Sequence, residues 1–106
     1  MSKSKLVRLT AEQVKKLHSN ISPAGWKLYN GNCLARNYTF KNFEDTWAFL
    51  TKVALRSHLT GHHPKLTTVY NKVDVELTTH DVQGLTEIDF KFAERFENYA
   101  AQIGQK

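Results

Sequence analysis

The stretch Ser57-His58-Leu59-Thr60-Gly61-His62-His63-Pro64 ends one element and begins another. Upstream, residues from Phe43 onward carry apolar side chains at helical spacing. Asn42 is the candidate N-cap. Gly61 stands where a helix takes the left-handed residue that stops it, and Pro64 prevents continuation. A helix over 43–60 follows. Phe43, Thr46, Trp47, Leu50, Val53, Ala54 and Ser57 are expected on its buried face. Ala48 and Leu55 form a smaller apolar patch opposite, with Phe49 between. A helix apolar on more than one side, in so small a chain, suggests self-association.

Downstream of Pro64, residues 65–69 read as extended or irregular. Tyr70 to Thr79 then alternates. Val73, Val75, Leu77 and Thr79 point one way, and Lys72, Asp74, Glu76, Thr78 and His80 the other. After the loop Asp81-Val82-Gln83-Gly84, Thr86 caps a last helix with Asp89 at its third position. Leu85 and Phe90 form a hydrophobic staple. Ile88, Phe92, Phe96, Tyr99 and Ile103 carry its apolar stripe.

Upstream of the long helix, Thr10 and Gln13 form a capping box and Leu9 and Val14 a staple. Val14, Leu17 and Ile21 face inward, and Pro23-Ala24-Gly25 ends the segment. Trp26 to Tyr29 and Cys33 to Phe40 are strands around Asn30-Gly31-Asn32, a strong hairpin signal. Leu34, Tyr38 and Phe40 share a face with Arg36. The expected fold is α+β: a mainly antiparallel sheet of about four strands with three helices packed on one face, in the order α-β-β-α-β-β-α. A chain of 106 residues is enough for one domain, and residues 1–8 read as a mobile tail.

Composition excludes several classes. Hydrophobic residues at 41% and charged residues at 24% are ordinary for a globular chain, so disorder is not expected. No apolar run reaches membrane-spanning length, and no apolar stretch follows the basic start, so neither a membrane anchor nor a signal peptide is expected. Cys33 is alone, so there is no intrachain disulfide, and cytosol or nucleus is the expected location. The formal net charge is +5, but outside Lys3, Lys5, Arg8, Lys15 and Lys16 the basic residues are interleaved with acidic ones. That reads as a solvated surface rather than a direct nucleic-acid interface.

Four of the five histidines lie between His58 and His80. His58 sits in the last turn of the long helix, where the dipole favours a cation. His62 and His63 follow the glycine stop, and an irregular turn can bring both rings to one cavity. His80 ends the long strand beside a loop. A metal site is disfavoured, because His58 and His62 are not on one continuous helix and no cysteine is near. Nucleophilic catalysis lacks a serine elbow, and Cys33 has no evident base. General acid/base chemistry without cofactor fits, since paired imidazoles can take one proton and give another at neutral pH.

At these residues the chain resembles the pterin-4a-carbinolamine dehydratases. Their pattern is a polar or charged residue, three positions, His-His-Pro, five positions, an aromatic, nine positions, His, eight positions and Asp. His58, His62-His63-Pro64, Tyr70, His80 and Asp89 meet it at every spacing. Val7 to Glu12, Ala48 to Leu55, Val69 to Val73, Thr78 to Asp81 and Gly84 to Asp89 also look like family segments. The resemblance implies dehydration of 4a-hydroxytetrahydrobiopterin to quinonoid dihydrobiopterin, in tetrahydrobiopterin recycling, with neither metal nor organic cofactor. It implies catalytic roles for His62, His63, His80, Asp89 and His58. His62 would be the essential acid/base, His63 and His80 would aid departure of the hydroxyl, and Asp89 would orient a histidine or a ring nitrogen. It implies a pterin bound by Gly61, His62, His63, Thr78, Thr79, His80 and Asp81. Tyr70 is expected to be a packing aromatic. The resemblance also implies a homo-oligomer, dimer or tetramer, joined through the long helix. As an alternative function, it implies a non-catalytic role as dimerisation cofactor of a homeodomain transcription factor. Position 58 is acidic in many relatives and His here, and Lys65 and Leu66 stand where an acidic residue and an aromatic are frequent.

Overall fold

The computed structural model describes residues 6–106. Of the expected tail, residues 1–5 lie outside the described residues. Within the rest, the Arg8 side chain lies against Gly84, and Leu9 N–H donates to Leu85 O at 2.8 Å.

Seven elements follow in order: α1 (Ala11–Ile21), β1 (Lys27–Tyr29), β2 (Cys33–Thr39), α2 (Phe43–Thr60), β3 (Lys65–Val69), β4 (Lys72–Leu77) and α3 (Glu87–Ile103). The α-β-β-α-β-β-α order is the expected one. The strands form one antiparallel sheet in the order β1-β2-β4-β3. Alternation drives the layering. Leu34, Tyr38, Phe40, Val73, Val75 and Leu77 are almost wholly buried, whereas Asn37, Lys72, Asp74 and Glu76 on the other face are exposed. The helices cover the first face, and the core lies between.

Helix starts follow local chemistry. Thr10 Oγ1 accepts from Gln13 N–H while Gln13 Oε1 accepts from Thr10 N–H, a closed capping box. Asn42 Oδ1 accepts from Asp45 N–H at 2.8 Å. Arg36, on the inward row of β2, is paired with Glu97 of α3 at 2.7 Å, and Tyr38 donates its hydroxyl to the same carboxylate at 2.7 Å. Burial, then Glu97, pushes the Tyr38 phenol above its usual range, so it remains a donor.

Three expectations are corrected. First, α2 is rotated relative to the expected face. Phe49 is wholly buried, packed 4.8 Å from the Tyr38 ring and 5.1 Å from Phe40. Phe43 and Trp47 are about half exposed, at 53% and 49%, and Ala54 is exposed. The buried arc is Thr46, Phe49, Leu50, Val53 and Ser57. Thr46 and Ser57 tolerate it because their hydroxyls donate to the carbonyls of Asn42 and Val53, each at 2.8 Å. Second, residues 65–69 are a strand, and the next strand starts at Lys72 rather than Tyr70. Tyr70 and Asn71 form the turn between them, Tyr70 at φ 52. Third, Tyr70 does not pack: it is 60% exposed at the hairpin tip. No helix among the described residues is long and apolar enough to cross a membrane.

The corrected α2 face is measurable. Phe49→Ala is expected to lower the unfolding free energy by about 3–5 kcal/mol in urea titration, whereas a loss below about 1 kcal/mol would place the ring outside the core.

Candidate active site

The site begins where α2 stops. Gly61 adopts φ 72, its N–H bonding Ser57 O at 2.9 Å, and His62 N–H reaches the same carbonyl at 3.3 Å. This left-handed turn folds the chain back, so adjacent histidines part. His62 is buried and His63 is exposed. The His62 ring meets the edge of Phe92 at 5.2 Å, and its Nε2 lies 2.6 Å from Asp89 Oδ1.

Asp89 is wholly buried. Its other oxygen, Oδ2, accepts from Thr79 Oγ1 at 2.7 Å and from Thr86 N–H at 3.0 Å. Thr86 is the N-cap of α3, so the capping box that starts the helix also holds the carboxylate at the histidine. The N-terminal end of the helix dipole favours negative charge there. The pair is ionic whenever His62 is protonated.

The segment after β4 supplies the opposite wall. The strand ends at Leu77, earlier than the alternation suggested, and His80 opens a short 3₁₀ turn, His80–Val82, closed by Gln83 at φ 52. Thr79 and Gly84 exchange backbone bonds of 2.9 and 3.3 Å, which cinches the loop. A Cβ on Gly84 would fall 2.5 Å from the Arg8 side chain, which would have to swing aside to admit it. Thr78 donates its hydroxyl to Asn32 O at 2.7 Å, tying the loop to the turn between β1 and β2.

Together these walls enclose a cavity of about 110 Å³ lined by His62, His63, Thr78, Thr79, His80 and Asp81. His63 and His80 are exposed at its mouth. Of the expected site residues, these six meet at the cavity and Asp89 stands behind His62. Gly61 shapes the turn without lining the cavity. His58, exposed on the last turn of α2, is not brought to it. Thr86 escaped the sequence reading as a site residue: its capping signal was evident, but not that the capped carboxylate would hold His62. Among the described residues, no group of three or more His, Cys, Asp or Glu side chains is placed to hold a metal ion.

A larger cavity, about 520 Å³, lies on the open face of the sheet beside Tyr29, Cys33 and Glu76, with no histidine in its lining. Size does not decide here: the smaller cavity holds the convergent polar groups.

Fold and cavity define a small α+β protein with a carboxylate-backed histidine facing a polar pocket, a constellation fitted to proton transfer. The family model described as pterin 4 alpha carbinolamine dehydratase matches residues 7–99. A protein of Chelativorans sp. (strain BNC1) that bears that enzyme name provisionally is 46% identical over 78 residues, covering 73% of this chain and 80% of its own. The crystal structure of a transcriptional coactivator/pterin dehydratase from Brucella melitensis is 33% identical, with TM-score 0.82, and the match covers 89% of this chain and 99% of that one. A pterin dehydratase-like protein identified as a RuBisCO assembly factor in the alpha-carboxysome shares the fold at TM-score 0.61 and 27% identity, over 71% and 88% of the two chains. The chain belongs to the pterin-4-alpha-carbinolamine dehydratase family.

Cys33 lies outside the histidine cavity. Burial, then the Glu76 carboxylate 3.9 Å away, pushes its thiol above the usual range. A raised value means less thiolate at a given pH. Labelling by Ellman's reagent near neutrality is therefore expected to be slower than that of a small free thiol, and a faster rate would contradict this environment.

Proposed function

We propose that the protein eliminates water from a 4a-hydroxytetrahydropterin, the biopterin form being the expected substrate, to give the quinonoid dihydropterin. The observation that carries this reading is the buried His62–Asp89 pair, 2.6 Å apart, behind a cavity rimmed by His63 and His80. The chemistry asks for two proton transfers. A base takes the proton from N5 as the C4a–N5 double bond forms. An acid protonates the 4a-hydroxyl, which leaves as water. His62 is the base, because Asp89 stabilises the imidazolium it becomes. His63 or His80, exposed on the same cavity, supplies the second proton. Backbone groups of Thr78, Thr79 and His80, with Asp81, bind the edge of the ring. The residues assigned here call for neither metal nor organic cofactor.

Positioned acid/base groups contribute about 10²–10⁴-fold, enough for a carbinolamine that already loses water with modest help. Dehydration of enzymatically generated 4a-hydroxytetrahydropterin, followed by ultraviolet absorbance, is expected to accelerate with the native chain and to lose about 10²-fold or more with His62→Ala. No acceleration by the native chain would sink the reading.

A second reading has its own observation. Phe43, Trp47, Leu55 and Leu59 leave an apolar stripe on the outer side of α2, each about half exposed or more. We infer that a second copy of the chain covers it, giving a dimer or tetramer. The name of the Brucella structure, which includes transcriptional coactivator, supports a binding role for such a surface as the alternative. Leu55→Glu is expected to reduce the particle mass by light scattering while turnover survives. An unchanged mass would show that the stripe does not join copies.

A further inference from the structure

We propose that Thr79 is a positioning residue which, with Thr86, holds the Asp89 carboxylate against Nε2 of His62, so that Nε2 carries the proton and Nδ1 is left to exchange protons with the substrate. The proposal rests on the reading of His62 as the acid/base group, and it follows from counting protons. An ionised carboxylate only accepts hydrogen bonds. At Asp89 Oδ2 the Thr86 N–H, 3.0 Å away, can only donate. The Thr79 hydroxyl has one proton, and it lies 2.7 Å from the same oxygen, so the proton is committed there. Thr79 Oγ1 is also 3.0 Å from Thr86 Oγ1. With its own proton already engaged, Thr79 accepts in that contact and Thr86 donates.

The chain of donors thus runs from the Thr86 hydroxyl to the Thr79 hydroxyl to Asp89. It leaves Oδ1 for the ring. His62 Nε2, 2.6 Å from Oδ1, donates its N–H. In a neutral imidazole the other nitrogen, Nδ1, is then the unprotonated acceptor. All four side chains are buried: His62 3%, Thr79 2%, Thr86 1% and Asp89 0% exposed. Bulk water therefore does not compete, and a wrong tautomer would set two acceptors against each other at 2.6 Å. The other ionisable groups around the ring are His63 on its own turn and His80 and Asp81 on the facing loop. Thr79 was expected only as a substrate-binding position. Thr79 lines the cavity, but its hydroxyl works through Asp89.

The test is nitrogen NMR of the full chain labelled with ¹⁵N-histidine, with the imidazole neutral. The native spectrum is expected to show a protonated Nε2 and an unprotonated Nδ1 for His62. In Asp89→Asn, the Thr86 N–H and Thr79 hydroxyl hold the amide oxygen at the place of Oδ2. The amide NH₂ then faces Nε2, and the ring is expected to invert to the Nδ1–H form. Thr79→Val leaves a carboxylate that still only accepts, so the Nε2–H tautomer is expected to stay while kcat falls more than KM changes, and Thr79→Ser is expected to restore kcat. A native ring protonated at Nδ1, or an even mixture, would overturn the proposal even if no variant folds. So would a Thr79→Val protein that only melts earlier while its kcat stays intact. A native chain without turnover but with the Nε2–H signature would overturn the dehydratase reading and leave this relay standing.

Discussion

A carboxylate with no solvent exposure has to be satisfied by protein, and the way Asp89 is satisfied organises the rest of the chain. Leaving such a charge unpaired costs several kcal/mol. Its donors come from three places: the His62 ring from the turn after α2, the Thr79 hydroxyl from the segment after β4, and the Thr86 N–H from the start of α3. The seam where these elements meet is therefore also the back wall of the cavity. His62 inherits rigidity from that seam. Among the described residues, His63 and His80 have no comparable partner and stay exposed at the mouth.

The same economy holds α3 in place. At its N-terminus Asp89 is tied to His62. Two turns later Glu97 receives Arg36 and Tyr38 from the inward face of β2. Residues eight apart on a helix are separated by about 12 Å, so the two acidic anchors fix both the position and the rotation of α3 on the sheet. Between them Phe90, Phe92, Ala93 and Phe96 fill the core. Packing alone tolerates small rotations of a helix. Two charged contacts at different heights do not, and the 2.6 Å contact to His62 depends on that.

What the sequence made legible was mostly local chemistry. Capping pairs such as Thr10 with Gln13 and Thr86 with Asp89 need only neighbours three residues away, and they located the helix starts. The Asn42 and Gly61 signals bounded α2 at both ends. The strand face of Val73, Val75 and Leu77 followed from alternation. The rotation of α2 did not follow, because its apolar residues surround the axis and only the neighbours Tyr38, Phe40 and Phe96 select Phe49 for the core. The turn at Tyr70 was hidden because an aromatic takes a backbone that favours Gly or Asn. β3 has five exposed residues and hence no burial rhythm to read. At the site, the histidine spacing was legible. That His62 turns inward while His63 turns outward, and that Thr79 meets Asp89, are tertiary facts.

The energetics of the buried pair bear on the choice between catalysis and binding. Replacing a buried ion pair with well-packed apolar side chains is frequently neutral or stabilising. A fold used only to present α2 to a partner has no need of a histidine and a carboxylate buried together, with two threonines spent on orienting them. The apolar stripe of Phe43, Trp47, Leu55 and Leu59 lies on the exposed side of α2, away from the arc of Thr46, Phe49, Leu50, Val53 and Ser57 that packs inward and leads to the Gly61 turn. The assembly and the proton transfer proposed above would therefore draw on separate parts of the structure, the outer side of α2 and the turn that follows it. Neither asks the other to give way, and a partner seated on α2 can leave the geometry at His62 untouched.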